Sequence, residues 1–227
     1  MKKVIRLTES DLTRIVNRVL NENKNLLVEG SAKSLSRSAL QNTYKKYNDM
    51  GPKATFDETF KKEREKGLKP FADFVNSCAT KVSLALNAAG QSLKPTFVAT
   101  SGPFKGKGIN TSAAGLKNEL VSKWGEPDVK IDSVKSLDEV QKKIGPGKIG
   151  VYICTPCGFG AGASGHATIW TWWKNDNKGG PLDGTKYPEN NGGTIYFWQV
   201  GDTNIEVAKA CGYQNWDQYK KSGFKCK

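Results

Sequence analysis

The apolar residues of the chain recur at two spacings, and the spacing changes about two thirds of the way along. In the first part they recur every three or four residues, which is the period of an amphipathic helix. This pattern predicts helices over residues 8–22, 55–66, 77–89, 112–124 and 136–144. Later, short apolar runs rich in β-branched and aromatic residues predict strands over 149–154, 167–173 and 194–200. Helices followed by strands indicate an α+β domain in which helices pack on an antiparallel sheet.

Polar segments divide the chain into four parts. Residues 1–30 hold the leader helix, which Thr8 can cap, and its apolar face predicts docking on a partner or on the chain's own domain. Residues 31–50 are rich in Ser, Asn and Lys and predict a linker. The main domain is expected over residues 51–202, and a short helical extension over 203–227.

The net charge of the chain is strongly positive, with 35 Lys and Arg against 22 Asp and Glu, or +13. Such a field concentrates anionic polymers, which include nucleic acid, anionic membranes and the bacterial cell wall. We expect no nucleic-acid partner, because the sequence contains no zinc finger, basic zipper or RNA-recognition motif. No apolar run approaches the roughly 20 residues that span a bilayer, so we expect no membrane insertion.

The first residues also lack a signal peptide, because charged residues interrupt the apolar ones. We therefore expect a protein made in the cytoplasm. If it acts in the periplasm or at the cell wall, another system must carry it there.

The five cysteines are Cys78, Cys154, Cys157, Cys211 and Cys226, an odd number that leaves at least one free thiol. The C-x-x-C of Cys154 and Cys157 fits a small disulfide loop, a redox pair or half of a zinc site completed by the last two cysteines. The irregular spacing from this motif to Cys211 and Cys226 disfavours a zinc site. A glycine-rich segment follows the motif in place of a helix, which disfavours a thioredoxin-like site. We expect neither a metal nor a cofactor. Pairing of Cys154 with Cys157, or of Cys211 with Cys226, fits an oxidising destination.

Cys78 and His166 have the residue types of a nucleophile and its base. Cys78 lies at the predicted start of helix 77–89, where the helix dipole favours a thiolate. His166 is the only histidine of the chain and begins a predicted strand. The two are 88 residues apart (166 − 78), so only the fold can bring them together, as in papain-like enzymes. A buried core cysteine and an ordinary hydrogen-bonded histidine are the alternatives.

Four short motifs carry a family resemblance, in order and with comparable gaps over about residues 55–200. They are FVNSCATKVSLALNAAG at 74–90, WGEPD at 124–128, GKIGV at 147–151 and GHATIW at 165–170. Together they resemble the type VI secretion amidase effectors of family 4, in which N-x-C precedes the nucleophile helix and G-H-x-T-L-W carries the histidine. Lys81 stands where that family has an arginine, and Cys154, Cys157 and both terminal extensions have no clear counterpart.

The resemblance implies a papain-like fold of the NlpC type and hydrolysis of the γ-D-glutamyl to meso-diaminopimelate amide of peptidoglycan stems. It makes Cys78 the nucleophile and His166 the general base. The third residue of the family is an acid about ten residues past the histidine, for which Asp176 is the nearest candidate, with Asn177 and Asp183 as alternatives. The implied partners are peptidoglycan and an immunity protein.

The biological setting and the enzyme class stay open at this point. The opening VIRLTESDLTRIVNRVL resembles leaders of phage-encoded proteins, so the leader helix is expected to dock on a virion or on a secretion apparatus. The alternative from another class is a non-catalytic wall-binding or virion structural module that uses Trp170, Trp172, Trp173 and Trp198 for adhesion. A papain-like protease or transglutaminase is the other enzyme that the Cys–His pair allows.

Overall fold

The computed structural model describes residues 32–67, 76–94, 96–158, 163–173, 178–185, 193–201, 212–213 and 216–223. The leader helix predicted over residues 8–22 lies outside the described residues, as do Asp176, Asn177, Cys211 and Cys226. Within the described part of the chain, no helix has both the length and the apolar character of a membrane span.

Six helices are described, and their ends follow the capping chemistry of the sequence. Ser112 accepts a hydrogen bond from the Gly115 N–H at 3.0 Å and begins one of them, which ends at Gly125 with φ of 78°. The helices are α1 Arg37–Thr59, α2 Lys61–Glu65, α3 Cys78–Ala88, α4 Ala113–Trp124, α5 Leu137–Ile144 and α6 Trp216–Lys221. Helix α1 is kinked at Gly51, which precedes Pro52.

The main sheet has five strands in the order β3-β7-β4-β5-β6, and every neighbouring pair is antiparallel. Its strands are β3 Val129–Ile131, β4 Gly150–Thr155, β5 His166–Trp173, β6 Lys178–Pro181 and β7 Thr194–Gln199. A two-stranded sheet of β1 Phe97–Val98 and β2 Gly108–Ile109 lies apart from it. The α+β prediction with an antiparallel sheet is confirmed, and the three predicted strands correspond to β4, β5 and β7.

The sheet buries both of its faces, because alternate residues of a strand point to opposite sides. On one face, Val151 and Ile153 of β4 belong to a core cluster with α1, α3 and α4. On the other face, Tyr152 of β4 and Trp170 of β5 pack with Val140 of α5. Helix α3 is thus held between the sheet and α1, which fixes the position of its first residue, Cys78.

Residues 37–50 differ from the predicted linker, because they form the first half of α1. Leu40, Tyr44 and Tyr47 recur at helical spacing along this polar stretch, and each is at most 1% exposed. Their burial against the domain outweighs the polar composition between them. Helix α1 therefore belongs to the folded body rather than to a linker.

Candidate active site

Cys78 is the first residue of α3 and follows Ser77, the N-cap residue. The thiol is half-buried and free of disulfides. It hydrogen-bonds the imidazole of His166 and also receives hydrogen bonds from the backbone N–H groups of Ala79 and Ala167. The backbone N–H of Cys78 lies in the first turn of the helix, where N–H groups have no partner within the helix.

His166 begins β5, opposite Cys154 of the neighbouring strand β4. Gly165 precedes it at a close approach of the two strands: a Cβ atom there would lie 2.8 Å from the Cys154 carbonyl oxygen and 3.1 Å from the Ala113 Cβ. Glycine is therefore the residue that lets β5 begin so near both β4 and α4. The sequence pair Gly165-His166 is a packing requirement as well as a motif.

Asp183 lies in the turn after β6 and contacts the far side of the imidazole. Its Oδ2 is 2.9 Å from His166 Nε2, and its Oδ1 accepts a hydrogen bond from the Thr185 N–H at 3.1 Å. Thr185 Oγ1 is also 3.3 Å from Nε2. Since Nε2 faces the carboxylate, Nδ1 is the nitrogen left for the Cys78 thiol. The structure thus brings together Cys78, His166 and Asp183, whereas Asp176 and Asn177 lie outside the described residues.

The charges of these three groups stabilise one another. Burial raises the pKa of the Cys78 thiol, but the hydrogen bond and charge of His166 outweigh it, and the net pKa is lowered. Burial lowers the pKa of His166, whereas its hydrogen bonds with Asp183 and Cys78 raise it, to about 9. Burial raises the pKa of Asp183, but the hydrogen bond and charge of His166 bring it well below the usual range. The arrangement favours a thiolate–imidazolium pair at neutral pH.

Two further side chains, one from α1 and one from α3, approach the trio of Cys78, His166 and Asp183. Tyr44 of α1 donates a hydrogen bond to Asp183 Oδ2 at 2.9 Å. Lys81 of α3 is 9% exposed, and its Nζ donates to Asn48 Oδ1 of α1 at 3.2 Å. Burial lowers the pKa of Lys81, while the negative charges of Asp183 and Cys78 raise it, with burial the larger effect. Sequence reasoning missed Tyr44, although its spacing from Leu40 and Tyr47 on one helix face was a usable signal.

A cleft of about 220 Å³ opens beside the thiol. Small and polar side chains line it, so an extended peptide meets little steric obstruction there. They come from the segment before α3, the start of α4 and the segment before β5: Asn76, Thr111, Ser112, Ala113, Ala114, Ala163, Ser164 and Gly165. The glycine-rich run before His166 thus borders the cleft at Gly165.

Cys154 and Cys157 form a disulfide at the end of β4, with their Cα atoms 5.7 Å apart. This is one of the pairings that the C-x-x-C spacing left open. Among the described residues, no three His, Cys, Asp or Glu side chains are grouped to hold a metal ion.

Comparison with known proteins supports what the site geometry suggests. Residues 74–198 match the sequence model of Tae4, the type VI secretion system (T6SS) amidase effector protein 4, and this segment is more than half of the 227 residues. The chain belongs to this family. Its members are peptidoglycan amidase effectors of type VI secretion. The resemblance that the four sequence motifs indicated is therefore confirmed.

Solved structures of Tae4 match this chain at low sequence identity. Tae4 of Salmonella typhimurium, in complex with the immunity protein Tai4 of Enterobacter cloacae, is 19% identical with a TM-score of 0.51, over 73% of this chain and 99% of that one. Tae4 of Enterobacter cloacae is 18% identical with a TM-score of 0.46, over 75% and 99% respectively. No curated protein sequence matches the chain significantly. The fold is papain-like of the NlpC type, as predicted.

The tryptophans considered for wall adhesion are only partly accessible. Trp170 and Trp198 are buried in the two core clusters, with exposures of 0% and 1%. Trp172 is half-buried, and the side chain of Trp173 lies outside the described residues. Two of the four side chains therefore serve the core, which weakens the reading of a non-catalytic module that adheres through these residues.

Proposed function

We propose that this chain is a cysteine amidase that hydrolyses the γ-D-glutamyl to meso-diaminopimelate amide in the stem peptides of bacterial peptidoglycan. The observation that carries the proposal is the contact chain from the Cys78 thiol through His166 to Asp183 at the edge of a cleft. Family membership supports an amide of peptidoglycan as the substrate. The net charge of +13 favours approach to the anionic wall.

In this mechanism, the Cys78 thiolate attacks the carbonyl carbon of the amide while His166 holds a proton on Nδ1. The backbone N–H of Cys78, at the start of α3, stabilises the oxyanion of the tetrahedral intermediate. Collapse of the intermediate breaks the C–N bond, and His166 gives its proton to the leaving amine. Neutral His166 then takes a proton from water, which attacks the thioester carbonyl and releases the acid and Cys78.

We propose Asp183 as the third residue of the site, because its carboxylate contacts His166 Nε2. Its role is to fix the orientation of the ring and to stabilise the imidazolium. Thr185 supports it through the backbone N–H on Oδ1. Asp176, the nearest acid in sequence to His166, lies outside the described residues.

The partners and the delivery route form a second part of the proposal. The solved Tae4 of Salmonella typhimurium is in complex with the immunity protein Tai4, which supports an immunity protein as a partner of this chain. Family membership supports delivery by a type VI secretion machine, with action in the periplasm or at the cell wall. The leader motif supports carriage in a virion, and in either setting the N-terminal helix would dock on the carrier.

The test is mass spectrometry of Gram-negative sacculi digested with the wild-type protein and with Cys78→Ala. We expect fragments cut between D-glutamate and diaminopimelate from the wild type and none from the variant. Cys226→Ala, which removes another cysteine, is the matched control and should retain release. Equal release by Cys78→Ala, or no release by folded wild type, would refute the cysteine mechanism. Digestion of casein instead would support a protein substrate.

A further inference from the structure

Tyr44 contacts the acid of the site from a helix that precedes the segment matched to the family, residues 74–198. Its side chain is 1% exposed, and its hydroxyl donates to Asp183 Oδ2 at 2.9 Å. The same oxygen lies 2.9 Å from His166 Nε2. One carboxylate oxygen is therefore shared between a phenol and the imidazole.

We propose that Tyr44 is a positioning residue for the amidase reaction. Tyr44 acts on His166 through Asp183. The carboxylate is held on two sides, by the Thr185 N–H on Oδ1 and by the Tyr44 hydroxyl on Oδ2. These two donors fix its rotation so that Oδ2 faces Nε2. This inference extends the proposed function, because it assigns part of the same site to α1.

The shared oxygen also determines how strongly Asp183 holds the proton on His166. A donor to a carboxylate withdraws part of its negative charge from any second donor on the same oxygen. Tyr44 therefore moderates the basicity that Asp183 gives to His166. Without the phenol hydroxyl, the imidazolium would hold its proton more tightly and release it to the leaving amine more slowly.

Among the described residues, the other charged or titratable groups that interact with this pair lie on α3. Cys78 bonds the imidazole, and Lys81 interacts electrostatically with both Asp183 and Cys78. Both remain in place when Tyr44 is changed. Tyr44 does not line the cleft beside the thiol, so its effect on substrate binding should be small.

The test compares Tyr44→Phe with Tyr47→Phe in the full chain. Tyr47 lies one turn further along α1, is also 1% exposed, and donates to a carboxylate oxygen of Glu58 at 3.1 Å. Each variant thus loses one partly buried hydrogen bond from a phenol of α1 to a carboxylate, and only one of these carboxylates contacts His166. Thermal unfolding of both variants checks that each is folded.

For Tyr44→Phe we expect kcat on peptidoglycan fragments to fall by roughly 3- to 10-fold, with KM unchanged. The alkaline limb of the pH–rate profile should move up by about half a pH unit or more, because a hydrogen bond to a charged group is lost. Tyr47→Phe should match the wild type in both measurements. In an Asp183→Asn background, Tyr44→Phe should add no further shift, since its effect passes through the carboxylate.

A substrate-free readout separates this inference from the proposed function. The rate at which iodoacetamide alkylates Cys78, followed peptide by peptide with mass spectrometry, reports the thiolate–imidazolium pair without peptidoglycan. An alkaline step that moves up in Tyr44→Phe supports the positioning role even if the wild type releases no stem fragments. A step that is unchanged, that moves down, or that moves equally in Tyr47→Phe would overturn the inference while leaving the amidase proposal intact.

Discussion

Replacing Asp183 with asparagine removes one negative charge from the site but keeps an oxygen that can accept a hydrogen bond from His166. The pKa of His166 stands at about 9 instead of 6.5, and a difference of about 2.5 pKa units corresponds to roughly 3 kcal/mol. Burial acts against this stabilisation, whereas the hydrogen bonds and charges of Asp183 and Cys78 supply it. Losing the charge of Asp183 should therefore lower the pKa of His166 by about one unit or more.

The assay is the pH dependence of kcat/KM on purified stem-peptide fragments, together with alkylation of Cys78 across the same pH range. In Asp183→Asn the alkaline limb should move from about 9 to about 8 or below, since the imidazolium now loses its proton earlier. At pH values near 8.5 this shift should lower kcat/KM by about threefold or more, because a smaller fraction of His166 is protonated, with a much smaller loss near pH 6.5. Asp183→Ala, which also removes the acceptor, should lose more at every pH.

Asp128→Asn is the matched control for this experiment. Asp128 is an exposed carboxylate that accepts the Gln199 N–H at 2.7 Å, and it lies outside the trio. Its substitution should leave the alkaline limb in place. The contrary outcome is a folded Asp183→Asn variant that shifts the pH of the alkaline limb no further than Asp128→Asn does. In that outcome, the charge of Asp183 does not control the protonation of His166.

Three further substitutions test other parts of the site. Lys81→Met should shift the onset of Cys78 alkylation to higher pH, because a positive charge near the thiolate is lost; Lys81→Arg, which keeps the charge, should not shift it. Gly165→Ala should lower the free energy of unfolding in urea by about 1–3 kcal/mol, because the new Cβ lies 2.8 Å from a strand carbonyl; an unchanged value would contradict the close approach. The raised pKa of His166 contributes stability that is present below about pH 6.5 and is lost as the pH rises through about 9. The Tm difference between wild type and His166→Gln should therefore be largest near pH 6. A Tm difference that does not depend on pH would exclude this linkage.

The sequence was most informative where local chemistry decides the structure. Ser112 and Gly125 bracket α4 because a hydroxyl caps the first turn and a glycine takes the positive φ at the end. The proposed nucleophile and base could also be identified, because one cysteine lies at a predicted helix start and there is a single histidine. Both signals depend on residues close to one another in sequence.

The parts that sequence reasoning missed or left open depend on distant contacts. Asp183, which the sequence leaves as an alternative to Asp176, is brought to His166 by the turn after β6, and no local pattern after His166 distinguishes the two acids. The polar composition around Tyr44 predicts a linker, although Leu40, Tyr44 and Tyr47 are buried against the domain. Trp170 could not be assigned to the core from sequence, because both faces of the sheet are buried and strand alternation alone does not separate core from surface.

The contacts of the site join residues that are far apart along the chain, with a sequence separation of 139 for Tyr44 and Asp183 and of 17 for His166 and Asp183. Contacts of such long range form only when the helices and the sheet have docked. A chain that is unfolded, or folded only in part, therefore has a cysteine of ordinary reactivity and no amidase activity. Passage through any channel too narrow for the folded domain would silence the enzyme, and activity would return only as fast as the whole domain refolds.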